Sequence, residues 1–171
     1  MGGGCRSCFD GLNIDLLFMN LANNTPLKIL KYPDEFLRQR ARAVKDFKDP
    51  RVEGLVSDMA KTMETEKGVG LAAPQVGSDL RICLARVDNT LFALINPEIK
   101  AYSRKKEIFE EGCLSFPGKY FPVERPVKVK IKARDVHGKK MKIKAEGLLA
   151  RVLQHEIDHL DGILVIDRAA K

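Results

Sequence analysis

Some residue types are scarce in this sequence of 171 residues, and each shortage excludes a class of protein. Tryptophan is absent, aromatic residues make up 6% of the chain, and no apolar run reaches the ~20 residues that a membrane-spanning helix needs. The four cysteines are unevenly spaced, which is not the pattern of a small domain held together by disulfides. We therefore expect an intracellular protein with reduced cysteines that does not enter a membrane.

Apolar residues, by contrast, are plentiful enough to build a core. They make up 44% of the chain, and this content and length suit one compact globular domain. Lysine and arginine number 30 against 23 acidic residues, which gives a formal net charge of +7. A positive surface favours acidic partners such as RNA, but the charge alone identifies none of them.

The first 25 residues lack the patterning of the rest of the chain. We expect them to form a poorly ordered extension, with the folded domain spanning residues 26–171. Cys5 and Cys8 form a Cys-x-x-Cys pair, but no second pair follows, so neither a structural zinc site nor a redox motif is supported. Asp15 interrupts the apolar stretch 12–22, which argues against a signal peptide.

The sequence predicts an amphipathic helix between Asp49 and Gly68. Asp49 is a typical helix cap, and Pro50 suits the first helical position. Apolar residues then recur at helical spacing, namely Val52, Leu55, Val56, Met59 and Met63. We expect the two methionines to fill the core and not to bind a metal.

Two β-hairpins are predicted further along the chain. Residues 80–99 contain two short apolar runs separated by Asp88 and Asn89, which favour a turn. In residues 127–134 and 141–144 apolar residues alternate with basic ones, which indicates two strands with a buried face and a lysine-rich face. We interpret the lysine-rich face as a solvated surface that discourages edge pairing, with RNA binding as the alternative.

The last predicted helix runs from about Glu146 to Leu160 and ends before Gly162. At ~100° per residue, one stripe of this helix faces the core. The stripe comprises Leu148, Val152, His155 and His159.

An H-E-x-x-H motif lies on this helix, between His155 and His159. The four-residue spacing brings both imidazoles to one side of the helix and leaves Glu156 at the edge of the same site. The motif therefore predicts a divalent metal site. Two buried histidines with ordinary hydrogen bonds are the alternative interpretation.

A catalytic metal site of this type usually has three protein ligands and a position for water. The position after the motif that would hold a third histidine in metzincins is Val165, and no glutamate follows it. The third ligand must therefore lie upstream, at Cys113, Cys83, His137 or an acidic side chain. Cys113 is favoured because a thiolate is a strong ligand for a borderline metal.

Three segments resemble the signature motifs of the peptide deformylases, in the same order and at similar spacing. They are Gly68-Val69-Gly70-Leu71-Ala72-Ala73-Pro74-Gln75, Glu111-Gly112-Cys113-Leu114-Ser115 and Gln154-His155-Glu156-Ile157-Asp158-His159. The resemblance extends over residues 27–168. It implies an α+β fold in which mixed, mainly antiparallel β-sheets pack around a central metal-binding helix that carries the HExxH motif.

The resemblance also implies a reaction and a metal. The protein would be a hydrolase that removes the N-formyl group from the N-terminal formylmethionine of newly synthesised proteins and releases formate. Cys113, His155 and His159 would hold one divalent ion, with Fe²⁺ expected natively and Zn²⁺, Ni²⁺ or Co²⁺ as replacements. A water bound to this ion would attack the formyl carbon.

The remaining site residues are likewise implied by the resemblance. Glu156 would be the general acid and base, and the side-chain amide of Gln75 and the backbone N–H of Leu114 would stabilise the oxyanion. The residues expected to bind substrate are Gly68, Val69, Gly70, Glu111, Leu148 and Val152.

The expected partners are N-formylmethionyl nascent peptides and, in a transient contact, the ribosome, with no membrane and no specific DNA binding. The expected location is the cytoplasm of a bacterium or an organelle of a eukaryote. Two other functions are compatible with parts of the sequence. One is a zinc peptidase that cuts internal peptide bonds, and the other is a non-catalytic metal-binding or RNA-binding protein.

Overall fold

The computed structural model of the chain describes residues 25–88 and 90–169. Within these residues the α-helices are α1 (Pro50–Thr65), α2 (Gly147–Leu160) and α3 (Val165–Arg168), and short 3-10 helices span Glu35–Arg38 and Ala73–Val76. The strands are β1 (Gly70–Ala72), β2 (Ile82–Val87), β3 (Thr90–Tyr102), β4 (Lys106–Cys113), β5 (Phe116–Pro126), β6 (Lys128–Arg134) and β7 (Lys140–Glu146). The predicted N-terminal extension lies outside the described residues, except for its last residue.

The strands form two antiparallel sheets. The larger has five strands in the order β1-β2-β3-β6-β7, and β4 and β5 form a separate two-stranded sheet. This architecture confirms the predicted α+β class with mainly antiparallel sheets. None of the helices in the described part of the chain is long and apolar enough to cross a membrane.

Helix α1 covers one face of the larger sheet. The Asp49 side chain accepts a hydrogen bond from the backbone N–H of Arg51 at 3.0 Å, which caps the helix as the sequence predicts. Met59 and Met63 are fully buried in a cluster with apolar residues of β1, β2 and β3. Both methionines therefore fill the core, as predicted.

Helix α2 covers the opposite face of the larger sheet. Its apolar side packs in a second cluster with residues of β2, β3, β6 and β7. The helix also contacts β5, so it lies between the two sheets. Its observed end at Leu160, followed by Gly162 with a φ of 74°, agrees with the prediction. The two sheets thus meet at the helix that carries His155, Glu156 and His159.

Strands β6 and β7 show the predicted alternation of buried and exposed residues. Val129, Ile131 and Ala133 are buried beneath α2, whereas the lysines between them are exposed. The cluster beneath α1 includes residues of β1, β2 and β3 but none of β6 or β7. The outer face of β6 and β7 therefore continues beyond α1 into solvent.

Candidate metal centre

Cys113, His155 and His159 converge at one point between the two sheets. One ligand atom from each residue lies within 4.8 Å of the others, and the Sγ of Cys113 is 3.2 Å from the Nε2 of His159. Cys113 comes from the end of β4, where the β4–β5 register is interrupted after Gly112, and both histidines come from α2. One sulfur and two imidazole donors fit a tetrahedral divalent ion with one position left for another ligand.

The protonation of the two histidines bears on metal binding. Burial, together with the nearby charge of His155, lowers the pKa of His159 well below its usual value, which favours the neutral ring that metals bind. Burial also opposes charge on His155, but hydrogen bonds with Cys113 and Glu111 outweigh it and raise the pKa to about 10. A metal bound to His155 would therefore release a proton from that ring.

The orientation of His155 is fixed by Glu111. The Nδ1 of His155 lies 3.0 Å from the Oε2 of Glu111. Burial by itself raises the pKa of Glu111, but hydrogen bonds from His155 and Arg125 outweigh it and lower the pKa to about 2. Because the Glu111 carboxylate can then only accept, the Nδ1 of His155 donates, which leaves Nε2 for the ion.

Glu111 is itself held by two arginines. Arg125 donates to both of its carboxylate oxygens, at 2.7 and 3.0 Å, and Arg151 donates to Oε1 at 2.6 Å. A third nitrogen of Arg125 donates to Asp158 on α2 at 2.8 Å. This buried network joins β4 and β5 to α2 directly behind the metal centre.

The Glu156 carboxylate lies on the other side of the centre, beside Gly70. The side chain is buried, and its Oε2 has no hydrogen-bond partner among the described residues. Burial raises the pKa of Glu156 to about 7, although the charges of His155 and Arg125 oppose the shift. A carboxyl group with a pKa near neutrality can both take up and release a proton, which is what a general acid and base requires.

Gly70 makes room for this carboxylate. A Cβ at position 70 would lie 2.2 Å from the Oε1 of Glu156 and 2.9 Å from a methyl group of Val152. No side chain fits at position 70 unless Glu156 moves.

The side-chain amide of Gln75 points towards the same centre. Its Oε1 accepts from the backbone N–H of Ala72 at 2.8 Å, so the carboxamide is oriented by the 3-10 helix that carries it. Its Nε2 is left facing Ser115, with the Oγ at 3.2 Å, and Cys113, with the Sγ at 3.5 Å. The amide therefore presents a donor N–H group beside the predicted metal ligand.

A segment that precedes the first strand ties two parts of the site together. The backbone N–H of Leu30 donates to the carbonyl of Gln75 at 2.8 Å, and Lys31 Nζ donates to the carbonyl of Leu114 at 2.7 Å. The ring of Tyr32 stacks on that of Phe116 with centroids 4.9 Å apart. We call Leu30–Tyr32 the strap.

A cavity of about 480 Å³ opens at this centre. Val152 is buried in its wall, whereas Leu148 and Val69 are 57% and 52% exposed at its mouth. The predicted site residues that line it are Gly68, Val69, Gly70, Gln75, Glu111, Cys113, Leu114, Leu148, Val152, His155 and Glu156. His159 lies behind this lining and joins the group through its ring nitrogen.

The other upstream ligand candidates lie elsewhere. Cys83 is buried in the core on β2, where burial raises the pKa of its thiol and keeps it protonated. His137 is exposed in the turn between β6 and β7. The part that reasoning from the sequence missed is the network behind His155, above all Asp158. An acidic residue inside the H-E-x-x-H segment is the signal that could have found it.

Comparisons with known proteins agree on one family. The family model described as polypeptide deformylase matches residues 26–171. A peptide deformylase from Picosynechococcus is 45% identical over 148 residues, covering 84% of this chain and 79% of the relative. The rice chloroplastic peptide deformylase 1B is also 45% identical over 148 residues, covering 84% of this chain and 55% of the relative. The crystal structure of peptide deformylase from Thermotoga maritima superimposes with a TM-score of 0.84 at 41% identity, covering 86% of this chain and 100% of that chain.

Proposed function

The chain belongs to the peptide deformylase family, and we propose that Cys113, His155 and His159 hold its divalent metal ion. Members of this family are metal-dependent hydrolases that remove the N-formyl group from the N-terminal formylmethionine of newly synthesised proteins, and this is the function of the chain. Family membership also argues against the peptidase and the non-catalytic protein as alternatives.

The observation that carries this assignment is the convergence of the three ligand atoms next to Glu156, whose Oε2 has no hydrogen-bond partner in the part of the chain that the structure describes. When bound, the metal supplies Lewis acidity, which polarises the formyl carbonyl and makes water more acidic. We infer that the ion is natively Fe²⁺ and that Zn²⁺, Ni²⁺ or Co²⁺ can replace it, since one thiolate and two imidazoles suit all four ions.

Glu156 is the residue that moves protons. Its Oε1 lies against β1, where the substrate backbone is expected, and its Oε2 is free of other partners among the described residues. It takes a proton from the attacking water and passes it to the nitrogen of the departing amine. The C–N bond of the formamide breaks, and formate and a free amino terminus result.

Gln75 and Leu114 stabilise the negative charge that develops on the formyl oxygen. The Gln75 amide is held in place before substrate arrives, and its Nε2 points towards the centre. The backbone N–H of Leu114, next to Cys113, supplies the second donor. Donors fixed in advance are effective because they need not reorganise as the charge forms.

The substrate is positioned by β1 and by the cavity wall. β1 is an edge strand, so a peptide can add to it through Gly68, Val69 and Gly70 like a further strand. The methionine side chain enters the cavity against Leu148 and Val152. Because both Glu111 oxygens are already engaged by other side chains, we propose that Glu111 acts by holding His155, and that only its backbone contacts substrate.

Location and ribosome contact extend this proposal. The protein would act in a bacterial cytoplasm or, in a eukaryote, in an organelle, as the chloroplastic rice relative illustrates. Its formylated substrates appear at the ribosome, so a transient contact there would bring enzyme and substrate together.

Replacement of Glu156 tests the assignment directly. Anaerobically purified protein is expected to carry one Fe²⁺ per chain and to release formate from formyl-Met-Ala-Ser. Glu156→Ala should keep its metal, measured by mass spectrometry, and lose at least ~10²-fold in kcat because the proton carrier is gone. Glu53→Ala, on the exposed side of α1, is the matched control and should keep full activity. Near-normal turnover by Glu156→Ala would contradict the proposed role of Glu156 in proton transfer. Loss of the metal from this variant would contradict the proposal that Glu156 is not a metal ligand.

A further inference from the structure

The outer face of β6 and β7 carries a ladder of exposed lysines. We define the lysine face as Lys130, Lys132, Lys142 and Lys144, which are all exposed. In the β6–β7 register, Lys130 lies opposite Lys144, and Lys132 lies opposite Lys142. Like charges directly opposite one another destabilise a sheet, so the fold holds these four side chains together against their mutual repulsion.

Protection of the sheet edge explains only part of this ladder. β7 is an edge strand, and lysines on an edge discourage pairing with other chains. β6, however, lies between β3 and β7 and has both edges paired. Lys130 and Lys132 therefore protect no edge. Lys132 lies opposite Glu98 of β3, which explains part of its presence, but Lys130 lies opposite Ala101 and requires another reason.

Neighbouring acidic groups neutralise the lysine face only in part. Within residues 25–88 and 90–169, none of its four lysines forms an ion pair. Glu98 lies opposite Lys132 in the β3–β6 register, and its pKa is lowered by the hydrogen bond from Lys100 and, to a lesser extent, by the charge of Lys132. The Glu98 carboxylate is bonded to Lys100, however, and that of Glu146 is paired with Lys128. The four ammonium groups are thus available to an external anion.

The position of the face leaves the metal centre accessible. The lysine face lies on the same side of the larger sheet as α1, which covers β1, β2 and β3 but not β6 or β7. Helix α2 and its histidines lie on the opposite side. No residue of β6 or β7 lines the cavity. A partner bound to the lysine face would therefore not block the entry of a peptide.

We propose that the lysine face binds the phosphate backbone of RNA. Alternate residues of a strand are ~6.7 Å apart, so the face presents regularly spaced point charges that suit a chain of phosphates. Lysine contacts with phosphate carry no sequence information, so binding is independent of sequence. Exposed apolar side chains, which would insert into a lipid surface, are absent from β6 and β7. The choice of RNA over DNA rests on the proposed function, because newly made proteins emerge from an RNA-rich particle.

The experiment measures binding of the full chain, in its metal-loaded form, to a dye-labelled RNA hairpin of 16 base pairs. Fluorescence anisotropy would be recorded between 50 and 200 mM salt, with Kd expected at roughly 10⁻⁶–10⁻⁴ M near physiological salt. The test variant replaces all four lysines of the face by glutamine. It should bind at least tenfold more weakly at the lowest salt. The magnitude of the slope of log K against log salt should fall by about 3.6, since each of four phosphate contacts contributes about 0.9.

A control variant that loses the same charge at other positions distinguishes RNA binding by the lysine face from attraction by the overall charge of the protein. It replaces four exposed basic residues outside β6 and β7 by glutamine, namely Lys28, Arg40, Lys45 and Lys106. This control should bind RNA within about twofold of the wild type. A second variant with arginine at the four positions of the face should also retain binding. Deformylation of formyl-Met-Ala-Ser should be unchanged in all three variants, so a failure of the RNA proposal is distinguishable from a failure of the proposed function.

Three results would overturn the proposal. The first is equal weakening in the face variant and the control, which would assign RNA binding to overall charge. The second is displacement of the labelled hairpin by unlabelled DNA duplex at a lower concentration than by unlabelled RNA. The third is lysine-dependent binding to vesicles of phosphatidylcholine and phosphatidylserine in the absence of RNA binding.

Discussion

At the scale of single residues, the contact between Gly70 and Glu156 links substrate binding to proton transfer. Position 70 lies on the strand that the peptide is expected to join, and the proposed proton carrier packs directly against its α-carbon. The substrate backbone and the Glu156 carboxylate are therefore separated by no side chain. The short distance between them depends on glycine.

Gly70→Ala is expected to reduce turnover without removing the metal. The new methyl group would overlap Glu156 Oε1, which must then shift by about an ångström, and such a displacement can lower kcat by about 10²-fold. Formate release and metal content measured on the same sample check this prediction. Gly54→Ala is the matched control, because a methyl group there meets nothing within 4 Å and should stabilise α1 by ~0.5–1 kcal/mol. Equal activity in the two variants would show that the glycine at position 70 is not required.

Part of the site could be predicted from residue spacing alone. The four-residue interval between His155 and His159 places both rings on one side of any helix, and the structure has that helix. The position of Cys113 depends on how the β4–β5 sheet packs against α2, which no local pattern encodes. Ligand chemistry favoured Cys113 among several upstream candidates, and the resemblance then selected it.

At the scale of secondary structure, elements with a regular pattern were predicted and those without were not. The helices α1 and α2 repeat apolar residues at the helical period, and β6 and β7 alternate apolar and polar residues. β2 and β3 contain continuous apolar runs on either side of a turn, which also predicted a hairpin. β4 exposes two adjacent apolar residues, Ile108 and Phe109, and β5 contains Pro117, Pro122 and Pro126. Their two-stranded sheet is held by the buried ion pairs of Glu111 and Arg125, and period-based reasoning does not detect such pairs.

Lys144→Glu is expected to stabilise the fold. Residue 144 lies opposite Lys130, so the substitution converts a repulsive cross-strand pair into an attractive one worth ~0.2–1 kcal/mol. Thermal unfolding should show an increase in Tm of about 0.4–4 °C for a chain of this length. Lys28→Glu, outside both sheets, should leave Tm unchanged. A lower Tm for Lys144→Glu would mean that the two lysines do not repel each other in solution.

At the scale of the whole molecule, the proposed metal joins the two sheets. Cys113 belongs to the smaller sheet, and both histidines lie on the helix that covers the larger one. An ion bound by all three residues therefore opposes separation of these parts. Its binding free energy contributes directly to the stability of the fold.

Removal of the metal by a chelator is expected to lower Tm. An ion present at a thousand times its Kd stabilises the folded state by about 4 kcal/mol, which corresponds to roughly 8–16 °C for a chain of this length. Calorimetry before and after chelation, and again after Zn²⁺ is restored, measures the effect. His159→Ala, which lacks one ligand, should show a much smaller response to the chelator. A shift of equal size in both proteins would place the stabilising ion elsewhere.

The strap has a practical consequence for anyone who shortens this chain. Leu30 and Lys31 are hydrogen-bonded to the carbonyl groups of Gln75 and Leu114, the two residues proposed to stabilise the oxyanion. A shortened protein that begins after Tyr32 would keep every proposed metal ligand but would lack the hydrogen bonds that hold Gln75 and Leu114 in place. Expression plasmids for crystallisation or inhibitor screening should therefore place their tags and protease sites ahead of Leu30.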